Sequence, residues 1–409
     1  ATIICRVVSF VMAEAEKVEL LPKPEGKPNV LILGGCGFIG RNLVKFLVDN
    51  KLASTIRVAD KSLPATSYFN AAHKAAFAQT NIVEFKQADL SKDVHVEKAF
   101  KDVKFTYVIN LCGETRFGLA EEEYKQRCVE PAKKCSEAAV KAGVEKFVEV
   151  SSGQVYEPGK KPSDEKSPLK PWTNVAKFRL AAEEEVKKQD KLPWVILRPA
   201  IVYGPGDLTG MSPRIVCSSV YQMKKEKMKF LWDKDLGMNA VHVDDVSNAL
   251  WLACTKVKPG AVFNLEDGSH LSTLLSLSLA DITPFFVDFY RSQGQLNAML
   301  GKIFAIDTGT WGSTMSAIAA KVSLSSIADE ANDKHVPGWT KLCQVHHKIS
   351  NTPLSPYIDK ELLTNHPLTV DGSAITKEYG LEYTKKVTED TLRAQIKSFI
   401  DQGVFPKVV

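Results

Sequence analysis

The chain has 409 residues, and its 44% hydrophobic content is enough to bury the core of one large domain or of two moderate ones. Its 53 basic and 48 acidic residues are well mixed, so the net charge of +5 indicates no nucleic-acid-binding surface. Eight cysteines show no C-x-x-C pair and no metal-ligand spacing, which favours reduced thiols and predicts no metal site. The lysines at 224, 225, 227 and 229 are interpreted as a solvated helix face.

Residues 1–27 are predicted to form an N-terminal extension. The first twelve residues are apolar but too few to span a bilayer, and they lack a convincing cleavage site. Either an upstream segment was removed, or translation begins at Met12 and residues 1–11 do not belong to the native chain. The polar start after Met12 favours the second interpretation and a cytoplasmic protein. An organelle such as the mitochondrion is the alternative if a targeting segment preceded Ala1.

The first predicted elements are a strand, a glycine-rich turn and a helix. The aliphatic run Asn29–Leu33 has the length and composition of a strand buried on both faces. Gly35, Gly37 and Gly40 follow as G-x-G-x-x-G, and apolar residues recur at helical spacing over Phe38–Asn50. Glycine lets the backbone turn tightly and approach a pyrophosphate, whose charge meets the free N–H groups of the helix N-terminus. The order of these elements predicts a dinucleotide site rather than a turn that serves packing alone.

A second predicted strand, Thr55–Ala59, ends in Asp60. This carboxylate follows Gly40 by twenty residues, which is where a dinucleotide fold places an acidic residue on the adenosine ribose. The polar segment 61–80 precedes the next strand.

Strands and helices then alternate as far as Leu197. The predicted strands are Ile82–Lys86, Phe105–Leu111, Lys146–Val150 and Trp194–Leu197, and the predicted helices are Val94–Phe100, Glu121–Lys141 and Val175–Lys188. Gly143 is a natural end for the second of these helices. The alternation is typical of an α/β fold with a doubly wound parallel sheet, in which ligands bind beyond the carboxyl ends of the strands.

After Tyr203 the alternation breaks down. Strands return near Ala240–Val243 and Val262–Leu265, and the remainder is irregular with helical stretches. The predicted domains are a dinucleotide-binding Rossmann domain, 28–202 plus 239–266, and a smaller C-terminal lobe facing the substrate, 203–238 plus 267–409.

No transmembrane segment is predicted in this C-terminal half. The apolar stretch Leu274–Tyr290 is interrupted by two aspartates and a proline. The uncharged stretch Thr308–Ala320 is too short to cross a bilayer.

Several separated motifs resemble the extended short-chain dehydrogenase/reductase family, also called the NAD-dependent epimerase/dehydratase family. The motifs are GGCGFIG at 34–40, Asp60, Asp89 with Leu90, VINLCGE at 108–114, VSSGQVY at 150–156, LRPAIVYGPGD at 197–207 and VHVDDV at 241–246. The match covers Asn29 to about Leu265, with a weaker one near Lys377–Ile400. The resemblance implies a Rossmann sheet of about seven strands that holds NAD, and a C-terminal lobe that shapes a substrate pocket.

The resemblance also implies which residues contact the dinucleotide. The expected set is Gly34, Gly35, Gly37, Phe38, Ile39, Gly40, Asp60, Asp89, Leu90, Leu111, Cys112, Gly113, Lys177, Pro199 and Val202. A carboxylate at Asp60 repels a 2′-phosphate and favours NAD over NADP, a preference that the adjacent Lys61 moderates. Pro199–Asp207 is expected to form an irregular loop that closes the nicotinamide end.

The chain departs from the family at its catalytic tyrosine. Ser152 occupies the place of the residue that polarises the substrate oxygen, and Lys177 fits the lysine of the Tyr-x-x-x-Lys pair, but the tyrosine position holds Thr173. A neighbouring ammonium can draw a phenol near pKa 10 towards neutrality, and an aliphatic hydroxyl cannot be drawn so far. General acid–base transfer typically contributes about a hundredfold to ten-thousandfold in rate. We therefore expect impaired chemistry, while Lys177 can still bind the nicotinamide ribose.

Glu114, just past the fourth strand, is a candidate replacement acid, because burial can raise the pKa of a carboxyl. The alternative, which we favour, is an ordinary loop carboxylate. Tyr156 is expected to pack rather than react. Gly153 and Gln154 stand where the dehydratases of this family carry Asp and Glu, so sugar 4,6-dehydration is not expected.

Two hypotheses follow from the sequence. The first is an NAD-binding pseudo-enzyme that serves as an accessory or scaffolding subunit of a larger assembly, with protein partners bound through the C-terminal lobe. The second is an active NAD-dependent epimerase or dehydrogenase that acts on a nucleotide sugar or a sterol-like alcohol through Ser152, Lys177 and another acid. We favour the first because of Thr173 and the long C-terminal region, Ser269–Val409.

Overall fold

A computed structural model of the chain describes residues 19–159, 161–268 and 291–408. The predictions made for the first eighteen residues, including a start at Met12, lie outside the described residues, and so does the stretch Leu274–Tyr290.

The described part contains eleven strands. In chain order they are β1 (Asn29–Leu33), β2 (Thr55–Asp60), β3 (Val83–Gln87), β4 (Tyr107–Asn110), β5 (Lys146–Val150), β6 (Trp194–Pro199), β7 (Ile201–Tyr203), β8 (Met228–Phe230), β9 (Ala240–His242), β10 (Ala261–Leu265) and β11 (Thr308–Thr310). Seven of them form one sheet in the order β10-β6-β5-β4-β1-β2-β3, and every neighbouring pair is parallel. The doubly wound parallel sheet predicted from the sequence is therefore confirmed.

Twelve α-helices connect or follow these strands in the described residues. They are α1 (Phe38–Asp49), α2 (Ala71–Phe77), α3 (Asp93–Phe100), α4 (Glu121–Tyr124), α5 (Glu130–Ala142), α6 (Asn174–Lys187), α7 (Ser212–Lys224), α8 (Val243–Thr255), α9 (Gln293–Phe304), α10 (Ser313–Thr340), α11 (Ser373–Tyr379) and α12 (Glu389–Asp401). Helix α10 bends at Ser323, whose backbone is extended.

The sheet is buried because helices cover both of its faces. Helices α1 and α8 pack their apolar residues on one face, and α3, α5 and α6 pack theirs on the other. Strand β5 is buried along its whole length. Such two-sided burial explains why the strands appear in the sequence as short continuous apolar runs.

One local prediction needed correction, and one segment is more regular than its polar composition indicated. The helix expected over Glu121–Lys141 is interrupted by a π-helical turn at Lys125–Val129, two residues before Pro131, which has no N–H to donate to a regular helix. The segment 61–80 contains α2, whose N-terminus is capped by Asn70. Gly143 does end α5, in a left-handed conformation with φ +63°.

The C-terminal residues build a second apolar core with α7. It joins side chains from α7, α9 and α12 with Trp339 at the end of α10. Strands β8 and β11 form a short parallel pair beside it, and β7 pairs with β9. Among residues 19–159, 161–268 and 291–408, no helix is long and apolar enough to cross a membrane.

A buried ion pair holds α6 against the sheet. Arg198 of β6 donates from Nε and Nη2 to the two carboxylate oxygens of Glu183 on α6, at 2.9 and 2.6 Å. Glu183 is fully buried and Arg198 is 2% exposed. The Arg198 guanidinium also donates to the Tyr156 hydroxyl at 2.8 Å, so its charge is satisfied from two directions.

Removing the buried carboxylate should destabilise the protein strongly. Glu183→Ala leaves Arg198 buried without its main partner, and we expect a loss of about 3–5 kcal/mol in the free energy of unfolding, measured by urea denaturation at neutral pH. The matched control is Glu184→Ala on the same helix, where a half-exposed carboxylate pairs with Lys187 and should cost less than about 1 kcal/mol. Equal losses in the two variants would contradict the role of the buried pair.

Candidate functional site

The glycine turn between β1 and α1 is too tight for side chains. A Cβ added to Gly40 would lie 2.5 Å from Gly35 Cα and 2.7 Å from the Gly34 carbonyl oxygen, so the start of α1 rests directly on the turn. Gly37 caps α1 without any side-chain hydrogen bond to the first turn. Close backbone packing and an uncapped helix N-terminus form a cradle that suits a pyrophosphate, which Phe38 and Ile39 would contact through their N–H groups.

Asp60 lies at the end of β2, beside this turn. Its two carboxylate oxygens accept hydrogen bonds from the N–H groups of Cys36 and Ser62, each at 2.9 Å. Burial raises the pKa of the Asp60 carboxyl above its usual value. The Asp60 carboxylate therefore meets the glycine turn directly, in the position predicted for the ribose contact, and Lys61 next to it is exposed.

Asp89 and Leu90 follow β3 at the same edge of the sheet. Asp89 Oδ1 accepts from the N–H and the hydroxyl of Ser91, at 3.2 and 2.7 Å, and the Asp89 side chain remains 41% exposed. Leu90 is buried. A half-exposed carboxylate next to a buried leucine fits the adenine end of a dinucleotide.

The end of β4 meets an arginine that the sequence analysis did not single out. Arg179 of α6 donates from Nη1 to the carbonyl oxygens of Cys112 and Val150, at 2.6 and 3.2 Å, and is 8% exposed. Gly113 has φ +150°, and a Cβ there would lie 2.3 Å from Arg179 Cζ. The guanidinium thus fills the space over Gly113, at the carboxyl ends of β4 and β5, and Leu111 and Cys112 lead into this contact.

Lys177 lies on the opposite side of α6. Its ammonium is 2.6 Å from Glu121 Oε1, and its side chain is 52% exposed. Residues two apart on a helix point about 200° apart, so Lys177 and Arg179 cannot both face the strand ends. The resemblance implied a ribose contact for Lys177, but the structure places this residue on the solvent face of α6.

One helical turn before Arg179, the buried face of α6 carries Val175. Val175 packs with Tyr124, Cys128 and Phe178. Positions four apart share one face of a helix, so Val175 and Arg179 stand in the geometric relation of the family's Tyr-x-x-x-Lys pair. The apolar spacing of Val175, Phe178, Ala182 and Val186 is the sequence signal that identifies this inward face.

Thr173 and Ser152 are brought together through Gln154. The Thr173 hydroxyl accepts from the Ala176 N–H at 3.1 Å, as the N-cap of α6, and donates to Gln154 Oε1 at 3.0 Å. The Ser152 hydroxyl accepts from the Gln154 N–H at 3.1 Å and caps the short turn Gly153–Val155. Both hydroxyls thus hold backbone N–H groups at helix starts.

Glu114 is held as a carboxylate by two arginines. It accepts from Arg116 Nη2 at 2.8 Å and from Arg127 Nη1 at 2.7 Å, and from the backbone N–H groups of Thr115 and Arg116. Burial on its own would raise the pKa of Glu114, but these hydrogen bonds hold it at about 2. A pKa this low keeps Glu114 a carboxylate at neutral pH, which argues against a role as proton donor.

Tyr156 packs at the base of the site. Its hydroxyl donates to Asn264 Oδ1 at 2.8 Å, and burial raises the pKa of Tyr156 to about 12. The neighbouring Ser151 hydroxyl is buried and has no hydrogen-bond partner among the described residues. Such an orphaned group at the end of β5 suits a polar ligand bound there.

The segment Pro199–Asp207 is more regular than expected. Pro199 is the last residue of β6, and Val202 belongs to β7, which pairs with β9. The irregular part is 204–206, whose carbonyl oxygens accept from Arg41 Nη2 and Asn42 Nδ2 of α1, at 2.8 and 3.0 Å. This loop therefore packs on the first helix, which the expectation of an irregular course over the nicotinamide end did not include.

A C-terminal segment, residues 359–370, covers the start of α6. Glu361 accepts from the N–H and the side-chain amide of Asn174, at 2.9 and 2.7 Å. Leu368 and Val370 pack with Val155 and Ala176. Nothing local in the sequence indicated this contact, because the partners are almost two hundred residues apart.

Known proteins resemble this chain in sequence. A family model described as NAD dependent epimerase/dehydratase matches residues 30–265. The dTDP-D-glucose 4,6-dehydratase of Bos taurus is 27% identical over 272 residues, 64% of this chain and 75% of the bovine protein. The sterol-4-alpha-carboxylate 3-dehydrogenase ERG26, decarboxylating, of Candida albicans is 29% identical over 249 residues, 57% of this chain and 66% of the yeast protein.

Solved structures resemble the whole described fold. The enzyme WbmG of Bordetella bronchiseptica, in complex with NAD and UDP, has a TM-score of 0.64 at 17% identity, over 95% of this chain and 99% of that chain. DesIV of Streptomyces venezuelae, a dTDP-glucose 4,6-dehydratase with NAD and TYD bound, has a TM-score of 0.64 at 17% identity, over 93% and 100%. At these identities the likeness shows the fold.

If Thr173 is a helix cap, its loss should affect stability. We expect Thr173→Ala to lower the free energy of unfolding by about 1 kcal/mol, because the Ala176 N–H loses its acceptor. Thr173→Ser keeps the capping oxygen, so its free energy of unfolding should fall by less than about half of the loss expected for Thr173→Ala. Urea denaturation of the wild type and the two variants measures these differences. If Thr173→Ala were as stable as the wild type, Thr173 would not stabilise the protein as an N-cap.

The Glu114 cluster should stabilise the protein in a pH-dependent way. The folded-state pKa lies below the ordinary value of 4.5, so the stabilisation is complete above about pH 4.5 and is lost as the pH falls towards about 2. We expect Glu114→Gln to cost on the order of 3 kcal/mol at pH 7 and progressively less on acidification. Glu122→Gln, at an exposed pair with Lys125, is the control. A pH-independent difference for Glu114→Gln would contradict the assignment.

Proposed function

The chain belongs to the NAD dependent epimerase/dehydratase family, and we propose that it is a member that binds NAD while its proton chemistry is impaired. The family is NAD-dependent by its description, in agreement with the cofactor expected from the sequence. The finer proposal is that the protein serves as an accessory or scaffolding subunit, with a bound dinucleotide as part of its fold.

The glycine turn and Asp60 support dinucleotide binding. The turn leaves room for a pyrophosphate at α1, and Asp60 supplies a carboxylate beside it for the ribose hydroxyls. Arg41 is nearby but donates to the carbonyl oxygens of Ser67 and Gly206, so its guanidinium is engaged rather than presented to a 2′-phosphate. These contacts favour NAD over NADP. Bound NAD would supply the hydride acceptor.

A single observation carries the proposal of impaired chemistry: the inward face of α6 presents Val175 and Arg179. A valine holds no proton to transfer. Arginine keeps its charge at all physiological pH values, and its planar guanidinium is already bonded to two strand-end carbonyls. Thr173 and Lys177, which the linear motif suggested, cap the helix and face solvent respectively.

In this proposal, no neighbouring side chain takes over the proton transfer of the family's catalytic tyrosine. Glu114 is held ionised by two arginines, and the Tyr156 hydroxyl lies between Asn264 and Arg198. Gly153 and Gln154 occupy the dehydratase positions, and Gln154 accepts from Thr173. Although the bovine relative is named a 4,6-dehydratase, we do not extend that reaction to this chain.

The C-terminal segment supports an accessory role. Residues 359–370 pack where α6 begins, and Glu361 closes the helix N-terminus with two hydrogen bonds. Leu368 and Val370 add apolar contacts with Val155 and Ala176 at the same place. We propose that the C-terminal lobe now presents surfaces to partners instead of a substrate pocket.

The second candidate function is an active oxidoreductase or epimerase. It is favoured by the relatives, which are named for reactions on a nucleotide sugar and on a sterol carboxylate. Under this alternative Ser152 polarises the substrate oxygen, and α6 rotates or a ligand recruits Lys177. The two candidates differ in one measurable property, turnover.

The proposal predicts tight NAD binding without turnover. Calorimetry should detect NAD binding to the wild type, and Gly37→Asp should weaken it by at least about tenfold, because an anion at the N-terminus of α1 repels the pyrophosphate. A Cβ at Gly37 would lie 3.2 Å from the Gly34 carbonyl oxygen, closer than at an open position but far less crowded than at Gly40. Because aspartate is also a good N-cap, this variant should still fold, which urea denaturation checks. Arg179→Lys should change NAD affinity more than Lys177→Ala does, because Arg179 lies at the strand ends and Lys177 faces solvent. A screen of nucleotide sugars and hydroxysteroids, followed by NADH absorbance, should show no turnover.

Each part of the proposal can fail separately. NAD affinity that is identical in the wild type and Gly37→Asp would remove the dinucleotide site. Turnover by the wild type would favour the second candidate. If that turnover were lost in Lys177→Ala but kept in Arg179→Lys, Lys177 would be the family's lysine, as the linear motif predicted.

A further inference from the structure

The N-terminal part of α10 presents its large apolar residues to the outside. Met315, Ile318 and Val322 are 52%, 56% and 83% exposed, and Trp311, just before the helix, is 52% exposed. Positions 315, 318 and 322 recur at helical spacing and share one face. We call Trp311, Met315, Ile318 and Val322 the outer stripe.

The inner side of the same helix turn is small and polar. Ser316 is fully buried and accepts a hydrogen bond from the Trp232 N–H at 2.7 Å. Ser313 is anchored to Asp233 by its N–H and its hydroxyl. A water-facing helix normally buries its apolar side and exposes its polar side. Here the large apolar side chains face outward, and the described part of the chain leaves the outer stripe uncovered.

Lysines border the outer stripe. The pairing of β8 with β11 brings Lys227 and Lys229 beside the residues that lead into Trp311. Gly309 is paired with Lys229, and the Lys229 ammonium lies 5.9 Å from the ring centre of Trp311. Lys227 reaches over Gly309, and Lys321 is exposed between Ile318 and Val322. The lysine cluster and the uncharged stretch that the sequence analysis treated separately are therefore one surface.

The carboxylates on this side offset only part of that charge. Asp233 is hydrogen-bonded to Ser313, and Glu226 is paired with Lys334. Asp307 precedes β11 and is exposed. The exposed lysines at 225, 227, 229, 234 and 321 outnumber Asp233, Asp235 and Asp307, so the border of the stripe carries a net positive charge.

We propose that the outer stripe and its lysine border dock on an anionic lipid surface. Tryptophan prefers the membrane interface, and an apolar helix face flanked by lysines is the pattern of helices that lie in that interface. Lysines near a bilayer are attracted to anionic headgroups. A single stripe of four partly exposed side chains is smaller than the roughly 800 Å² per partner of a stable protein interface. The protein lies on the membrane here and does not cross it.

Vesicle sedimentation of the full-length chain tests this proposal. We expect stronger binding to vesicles in which about a third of the lipid is phosphatidylserine than to phosphatidylcholine vesicles, with binding weakened by salt. Val322→Asp should reduce the affinity at least about tenfold. Val94→Asp, at a 72% exposed valine on α3, is the matched control and should bind like the wild type. Lys229→Glu should weaken binding, and Lys104→Glu should not.

Comparison of the wild type with Trp311→Phe identifies the contact. The wild type should show a blue shift of tryptophan emission on anionic vesicles that the variant lacks. No vesicle binding, equal binding to both lipids, or equal effects of Val322→Asp and Val94→Asp would overturn the proposal. So would a dimer, seen by sedimentation velocity without lipid, that Val322→Asp dissociates, because the stripe would then belong to a second copy of this chain.

Discussion

The rotation of α6 about its own axis is the constraint on which the site depends. Glu183 is fully buried and bonded to Arg198 of β6, and Ala182 and Val186 pack into the same core. With those positions inside, Arg179 must face the strand ends and Lys177 must face solvent. Breaking a buried ion pair is costly, so this rotation is strongly held. The chemistry available at the carboxyl ends of β4 and β5 follows from it.

The dinucleotide cradle and the reaction centre are supported by different parts of the structure. The cradle is formed within β1, α1 and β2, where glycines allow close packing and Asp60 bonds the turn. The reaction centre needs α6, the end of β5 and the C-terminal lobe together. A chain can therefore change its reaction centre while the cradle is kept. Under the proposed function, this separation lets cofactor binding persist without a phenol for proton transfer.

The C-terminal lobe relates the site to the surface of the protein. Its segment 359–370 meets α6 through Glu361 and continues into the apolar contacts of Leu368 and Val370. Another part of the lobe, the start of α10, exposes the apolar stripe bordered by lysines. Packing on the sheet and exposure of apolar side chains thus occur in the same C-terminal part of the chain.

The sequence by itself determined the Rossmann sheet, the glycine turn and the place of Asp60, because each depends on residues close together in the chain. The strand patterns and the alternation with helices were sufficient for the order of the elements, and the family motifs for NAD. Local patterns gave conflicting indications for Lys177 and Arg179: the motif spacing favoured Lys177 and the apolar spacing of α6 favoured Arg179. The pairing of Glu183 with Arg198 decides between them. Local patterns could not show that Glu114 meets Arg127, or that Glu361 caps α6. Only the tertiary structure decided these points, because a side chain's protonation and role are set by partners that folding brings from distant parts of the chain.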